Sequence, residues 1–337
     1  NAVRYSRVNS SMAVRHFRVR ANSPDGRLGR PCDDEQIENP FERLTSGRRE
    51  PMREHFAMHS WSASMKVMMM KIPALAALLL FLPHPSTAQD PTFDLHVHLR
   101  NGAESIDEYE AQVTSAKRQV TAFGGMWFGG PSQALQGEIE HTRAQNDALI
   151  ALASKHPKML PIATVHPYDG QAALDELRRV AGRGVKVLKL HAHTQKFDVA
   201  DPRVLKLVHQ AGALGVVVLM DNANIIAGDS EHLFNLAVRA PKTKFVFAHM
   251  GGLNFRFWNI LALARTAKDF FMDNIYFDIS GTVLLAADSP IEEEFVWTLR
   301  NIGIDQVILG SDYPQFSLAK TLDALERLDL EESEKAK

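Results

Sequence analysis

Phe93-Asp-Leu-His-Val-His-Leu99 is a short run in which two histidines stand two positions apart between apolar residues. Because side chains two apart on a strand share a face, we expect His96 and His98 to point together into the mouth of the fold. Two imidazoles placed in this way can bind one divalent cation. The run predicts a β-strand that ends in part of a metal site. Its apolar residues are then expected to face helices: Leu95, Val97 and Leu99.

Seven further apolar, β-branched runs follow this one, with helical patterns between them, as is typical of buried parallel strands. The eight predicted strands are Asp94–Leu99, Val120–Phe128, Leu160–His166, Val185–His191, Val216–Asp221, Lys244–His249, Ile275–Ile279 and Gln306–Leu309. Eight strand–helix units within residues 89–337 match the length of a single-domain (β/α)8 TIM barrel. An open doubly wound sheet is the competing fold, but neither G-x-G-x-x-G nor G-x-x-x-x-G-K-[ST] occurs in the chain. The pattern favours the barrel.

Polar residues follow several of these apolar runs directly, which is where a barrel places its chemistry. Asp221 ends the fifth predicted strand, His249 the sixth, and Asp312 follows the eighth. Six of the ten histidines after residue 88 lie at strand ends: His96, His98, His166, His191, His193 and His249. The other four fall in helical segments and are expected on helix faces: His141, His156, His209 and His232.

The chain before residue 89 differs in character from the rest. Residues 1–88 have a net charge of +5 and residues 89–337 a net charge of -7. Residues 65–88 combine two lysines, an eleven-residue apolar run and Ser86-Thr-Ala88, the order of a secretory signal peptide. Residues 1–64 are Arg-rich without periodicity, which predicts disordered chain or upstream sequence translated from a start site placed too early. We therefore expect residues 89–337 to be an exported barrel, periplasmic or secreted.

Composition excludes several classes of partner and site. The single cysteine, Cys32, can form neither an internal disulfide nor a Cys-rich zinc finger, so any metal must be held by nitrogen and oxygen. A net charge of -2 gives no indication of a nucleic-acid partner. No stretch after residue 88 is apolar and long enough to predict a membrane span. A small-molecule substrate is the expected partner, and the sequence carries no signal for an oligomeric state.

Four motifs in this order resemble the metal-dependent amidohydrolase superfamily, in its amidohydrolase-related branch. That branch also contains aminocarboxymuconate semialdehyde decarboxylase and its relatives. The resemblance covers about residues 93–330 and rests on Asp94-Leu-His-Val-His98, Val187-Leu-Lys-Leu-His191, Phe247-Ala-His-Met-Gly-Gly252 and Leu309-Gly-Ser-Asp-Tyr-Pro314. It implies a (β/α)8 barrel with a divalent metal at its mouth, zinc first, with manganese or iron as alternatives.

The resemblance also implies roles for individual residues. His96 and His98 match the first-strand ligand pair. Asp312 matches the aspartate that touches the metal and exchanges a proton with the attacking water. His249 matches the histidine that polarises substrate or water. The candidates for holding a substrate carboxylate are Lys189, His191 and Arg100.

The fifth predicted strand departs from the family pattern. Relatives end this strand with a histidine ligand, whereas Asp221 occupies the matching position here. Aspartate is itself a ligand for zinc or manganese, so two imidazoles and two carboxylates, from His96, His98, Asp221 and Asp312, remain a complete set of four. The change leaves the metal and the reaction type open.

The predicted function is metal-dependent hydrolysis of a small amide, ester or lactone, with a metal-activated water as nucleophile. In this hypothesis Asp312 takes the proton of the water and His249 stabilises the developing oxyanion. One alternative keeps the site but performs non-oxidative decarboxylation of a small carboxylate. The other alternative is an exported barrel that binds a metal or ligand without catalysis, with Asp221 as the sign of the loss.

Overall fold

A computed structural model describes residues 92–127, 132–267 and 269–337. The predicted signal peptide, residues 65–88, and the segment before it lie outside the described residues. Eight parallel strands pair in chain order and confirm the (β/α)8 barrel. They are β1 Thr92–Leu99, β2 Val120–Trp127, β3 Met159–Thr164, β4 Val187–Leu190, β5 Val217–Met220, β6 Phe245–Phe247, β7 Ile275–Asp278 and β8 Val307–Ile308. The Leu95 amide donates to the Leu309 carbonyl at 3.1 Å and closes the barrel between β8 and β1.

Helices follow the strands in alternation. They are α1 Ala103–Ser115, α2 Ile139–Ala153, α3 Gln171–Gly182, α4 Ala192–Gln195, α5 Pro202–Ala213, α6 Asp229–Arg239, α7 Ile260–Ala264, α8 Thr282–Ala286, α9 Glu292–Ile302, α10 Leu318–Arg327 and α11 Glu332–Lys335. Short 3₁₀ segments in the described residues include Pro167–Asp169 and Ile304–Gln306, and Ala248–Asn259 combines 3₁₀ turns with positive φ at His249–Gly252. In the described part of the chain, no helix combines the length and hydropathy that crossing a bilayer requires.

The interior of the barrel is a packed layer to which every strand contributes an apolar side chain. Its members, in strand order, include Leu95, Met126, Ile162, Val187, Leu219, Val246, Tyr276 and Ile308. Such a layer fills a barrel of this size and leaves no pore. Polar groups beyond it, at the carboxyl ends of the strands, are therefore held above a closed apolar floor.

A β-bulge in β1 changes which way its residues face. Asp94 pairs with Phe123 and Val97 pairs with Gly125, so β1 contains one more residue than β2 between these two pairs. The extra residue lets Leu95 join the interior layer while Val97 and Leu99 pack against α1. The expectation that Leu95 faces the helices is wrong because strict alternation does not hold across a bulge.

The bulge brings the β1 backbone against Gly124 of β2. A Cβ at Gly124 would overlap the Leu95 carbonyl oxygen and lie 2.7 Å from Cδ1 of Ile162. We expect Gly124→Ala to lower the free energy of unfolding by about 2–3 kcal/mol, because backbone and a packed side chain must both shift. Urea denaturation of the full chain measures this. The control is Gly182→Ala at the end of α3, where a Cβ meets nothing within 4 Å. An equal loss in both variants would contradict the argument.

Candidate metal centre

Three potential metal ligands converge at the mouth of the barrel. Nε2 of His96 lies 3.0 Å from Nε2 of His98, and both histidines come from β1. Oδ1 of Asp312, which follows β8, lies 2.9 Å from Nε2 of His98 and 3.4 Å from Nε2 of His96. The sequence prediction that these three residues come together agrees with the geometry.

The spacing and charge of these groups fit a divalent cation. Zinc bonds to nitrogen and oxygen are about 2.0–2.2 Å long, which places neighbouring ligands of an octahedral or tetrahedral site roughly 2.8–3.6 Å apart. Burial, with the charge of Lys189, holds the pKa of His96 well below its ordinary value, and burial lowers that of His98. Burial raises the pKa of Asp312, but the hydrogen bond with His98 and nearby imidazoles bring it below its ordinary value. Neutral imidazoles and a carboxylate are the protonation states that metal binding requires.

Asp278, at the end of β7, orients His96. Its Oδ2 lies 2.6 Å from Nδ1 of His96, so Nδ1 carries the proton and Nε2 presents its lone pair to the centre. The other oxygen, Oδ1, accepts from the Ser280 amide at 2.7 Å. Gly310 makes room for this carboxylate, since a Cβ there would lie 2.7 Å from Cγ of Asp278. Sequence reasoning missed Asp278, although a charged residue inside the apolar run Ile275–Ile279 was the available signal.

We expect Asp278→Asn to weaken metal affinity about 10–100-fold, the usual range for a partner that orients a ligand histidine. An asparagine that donates to Nδ1 would favour the tautomer with the proton on Nε2, the atom that must face the metal. Competition with a chelating dye measures the affinity. The control is Asp305→Asn, in the exposed 3₁₀ segment before β8. Unchanged affinity in Asp278→Asn would show that Asp278 does not orient the ligand.

His249 stands beside the three donors on a left-handed stretch of backbone. Its φ is 63° and that of Met250 is 49°, conformations that non-glycine residues rarely adopt and that often occur at functional sites. Donor atoms of His249, His96 and Asp312 lie within 4.8 Å of one another. Nδ1 donates to the Ser280 carbonyl at 3.0 Å, so Nε2 is the nitrogen that exchanges a proton. Burial lowers the pKa of His249, but Asp221 and the charges of Asp278 and Asp312 raise it to about 9.

Asp221 lies next to His249 on the β5 side of the mouth. Its Oδ1 is 3.5 Å from Nε2 of His249 and 3.6 Å from Nε2 of His191. Burial raises its pKa, but the hydrogen bond to His249 and the charges of His191 and Lys189 hold it well below the ordinary value. Asp221 thus contacts the centre through His249. Its role as a metal ligand stays a prediction.

The three candidate substrate-binding residues have different surroundings. Nζ of Lys189 is 3.4 Å from Nε2 of His96, and burial lowers the pKa of this ammonium against the pull of nearby carboxylates. Burial also lowers the pKa of His191, to about 4. Arg100 is exposed beyond the end of β1 and does not line the pocket described below. Lys189 therefore contacts the centre at His96, His191 is connected to it through Asp221, and Arg100 lies outside it.

Two other strand-end histidines have partners elsewhere. His166 is buried, with Nε2 2.6 Å from the Gln195 carbonyl oxygen and Nδ1 accepting from the Tyr168 amide. His193 pairs with Asp229 at 2.9 Å. The histidines of α5 and α6, His209 and His232, are exposed as predicted, and His141 and His156 are half-buried. A strand-end position alone does not make a histidine part of the centre.

Asp94 ties the segment that carries Asp312 to β1. Its Oδ1 accepts from the Ser311 amide at 2.8 Å, and its Oδ2 accepts from the buried Tyr109 hydroxyl at 2.8 Å. Burial raises the pKa of Asp94 to about 6, although these hydrogen bonds lower it. The contact fixes Ser311 next to Asp312, whose own φ of 59° turns its side chain toward the histidines. Sequence reasoning gave Asp94 no role of this kind.

A pocket of about 740 Å³ opens onto the centre from the β5–β8 side. His249 and Asp312 lie on its wall, with Ser280 and Thr282 from the segment after β7. Drug-sized ligands occupy cavities of this size. The arrangement therefore joins a candidate cation site, a buried histidine with a raised pKa and space for a small organic molecule.

The profile of the amidohydrolase family matches residues 93–337. The chain belongs to this family. Members depend on divalent metals, and the donor atoms gathered at the mouth, from His96, His98, His249 and Asp312, form the candidate site in this amidohydrolase. No curated protein matches the sequence.

Solved structures with the same fold include three that bear on the comparison. A Staphylococcus aureus protein named as an amidohydrolase is 18% identical over 73% of this chain and 95% of its own, with a TM-score of 0.57. The 5-carboxyvanillate decarboxylase of Sphingomonas paucimobilis is 17% identical over 74% and 95%, with a TM-score of 0.55. The 5-carboxyvanillate decarboxylase of Novosphingobium aromaticivorans, complexed with manganese, is 14% identical over 74% of this chain and 92% of its own, with a TM-score of 0.52. At these identities the likeness is one of fold.

Proposed function

We propose that this amidohydrolase hydrolyses a small amide, ester or lactone with the help of a divalent metal. The observation that supports this most strongly is the convergence of His96, His98 and Asp312, with donor atoms 2.9–3.4 Å apart, beside His249 and an open pocket. One face of the site can hold a cation, and the other has room for a carbonyl compound.

His96, His98 and Asp312 would hold the metal. Two imidazoles and a carboxylate suit zinc, manganese or iron, and the manganese of the Novosphingobium decarboxylase supports manganese as an alternative to zinc. A cation bound there would polarise the substrate carbonyl and lower the pKa of a water molecule from 15.7 toward about 7.

Asp312 and His249 have separate roles in the proposed reaction. The ionised carboxylate of Asp312 accepts a proton from the water molecule while the oxygen of that water bonds to the carbonyl carbon of the substrate. The same proton passes to the leaving alcohol or amine when the bond from carbon to that group breaks, so atoms and charge balance. His249 donates a hydrogen bond from Nε2 to the oxygen that gains negative charge, which its raised pKa of about 9 supports.

Non-oxidative decarboxylation is the second candidate. The observation that favours it is Lys189, an ammonium buried at the centre 3.4 Å from His96, where it could bind a substrate carboxylate. The decarboxylases among the solved structures of this fold are consistent with it. In that reaction, carbon dioxide leaves and a proton replaces it on carbon, without net consumption of water.

Product analysis on metal-loaded protein separates these functions. The full chain is freed of metal with a chelator, reloaded with zinc or manganese, and given neutral esters, lactones and amides in water labelled with oxygen-18. We expect the label in the product acid, at a rate that falls when the metal is removed. Release of carbon dioxide from carboxylates with no hydrolysis would support the second candidate. One metal per chain with neither reaction would support the non-catalytic binding barrel.

A further inference from the structure

The pocket beside the centre has an apolar rim built from four consecutive loops. The segments after β5, β6, β7 and β8 contribute Ile225, Leu253, Leu285 and Phe316 respectively. Ile225 is 86% exposed, Leu253 61% and Leu285 56%, which is unusual for large aliphatic side chains gathered around one opening. A cluster of exposed apolar groups at the mouth of a barrel is typical of a ligand-binding surface.

Apart from His249, whose raised pKa makes it a cation, the charged groups of this pocket are acidic. Its lining includes Glu231 in the first turn of α6, in addition to Asp312, and contains neither lysine nor arginine among the described residues. The remaining polar groups are mostly neutral, such as the amides of Asn224, Asn254 and Gln315. A substrate carboxylate that lay beside Glu231, with the carbonyl group at His249 and Asp312, would meet like charge and gain no ion pair there.

We propose that this apolar pocket selects neutral carbonyl compounds that carry an alkyl or aryl group, and that Glu231 disfavours substrates with a carboxylate at the far end. The carbonyl would lie at His249 and Asp312, and the apolar group against Leu253 and its neighbours on the rim. The inference rests on the proposed function for the position of the reacting carbonyl. It names the substrate class of that site.

A matched pair of ketones tests the inference without any turnover. Octan-2-one has the carbonyl and the apolar tail, and 7-oxooctanoate has the same carbonyl with a carboxylate at the far end. Calorimetry on the zinc-loaded full chain measures both affinities. We expect octan-2-one to bind at least about tenfold more tightly. Equal or tighter binding of 7-oxooctanoate, or no binding of octan-2-one up to its solubility limit, would overturn the proposal.

Two variants with matched controls locate the effect. Leu253→Ser is expected to weaken octan-2-one binding about tenfold, whereas Leu263→Ser, at a 67% exposed leucine of α7 outside the pocket, changes it less than twofold. Glu231→Gln is expected to reduce the difference in affinity between octan-2-one and 7-oxooctanoate. Its control, Glu293→Gln at an exposed position of α9, is expected to leave that difference unchanged. Equal effects of variant and control in either pair would overturn the proposal.

The ketone measurements also separate this inference from the proposed function. Ketones of this kind are not hydrolysed, so their binding is measured independently of turnover. If octan-2-one binds as expected but no ester, lactone or amide is turned over, hydrolysis is wrong and the pocket selectivity stands. If neutral esters are hydrolysed no faster than esters with a carboxylate at the far end of the acyl chain, the selectivity is wrong and hydrolysis stands.

Discussion

Replacing His98 with alanine is expected to weaken metal affinity at least about 100-fold and to abolish turnover at ordinary metal concentrations. A tightly held zinc ion is bound with about 10–16 kcal/mol of free energy in zinc-finger peptides, shared among four ligands. One ligand therefore contributes about 3 kcal/mol, which corresponds to roughly a 100-fold change in affinity. Metal analysis after gel filtration and the initial rate of hydrolysis measure the two effects.

The control for this variant is His209→Ala, because His209 is an exposed histidine on α5. It loses an imidazole of the same size far from the centre, and we expect both metal content and rate to stay within twofold of the original. Full activity in the His98→Ala chain would refute the assignment of the centre. Loss of activity in both variants would indicate a general effect of histidine removal.

The barrel itself was predictable because its signal is repeated. Each strand is an apolar run that must fill the interior layer, and eight such runs at regular spacing permit few other folds. What alternation could not show is the bulge in β1, where Asp94 and Val97 pair with Phe123 and Gly125. The bulge depends on the close approach of Gly124 to Leu95, a contact between two strands that the order of residues in one strand does not contain.

The sequence predicted the residues whose donor atoms meet at the candidate site, but not the residues that orient them. His249 and Asp312 follow apolar runs directly, and His96 and His98 alternate with apolar residues near the end of β1, so both signals are local properties of the sequence. Asp278 was not predicted because it is a single charged residue inside an apolar run. Its role depends on a contact across the barrel, where Oδ2 lies 2.6 Å from Nδ1 of His96. His166 is the opposite case, since it ends a run but its nitrogens contact backbone. Position along the strand predicts which residues reach the mouth, and their partners decide what they do there.

The asymmetry of the mouth connects the centre to the choice of reaction. Lys189 contacts His96 and does not line the pocket beside the centre, whose rim is apolar and whose lining includes Glu231. Moreover, carboxylates that lower its cost of burial already surround Lys189, namely Asp221, Asp312 and Asp278. These charges offset part of the cost of burying Lys189 without a substrate, which supports the proposed hydrolysis of neutral compounds.

Replacing Asp312 with asparagine is expected to lower the turnover number about 10²–10⁴-fold, the contribution of a positioned general base. The amide keeps the shape and an oxygen toward His98 but cannot accept the proton of the attacking water. Initial rates at increasing metal concentration distinguish the two roles of this residue. Asp305→Asn, at an exposed aspartate before β8, is the control and should keep the original rate.

The outcome at saturating metal decides the mechanism. If Asp312 served only as a ligand, excess zinc would refill the centre of the asparagine variant and restore the rate. If Asp312 carries the proton, metal content recovers while turnover stays at least about 100-fold low, because no other described carboxylate lies as close to Nε2 of His98, 2.9 Å from Oδ1. Asp221 is held at His249 and His191, and Asp278 at the far nitrogen of His96. Asp278 cannot take over the transfer without giving up the contact that orients His96.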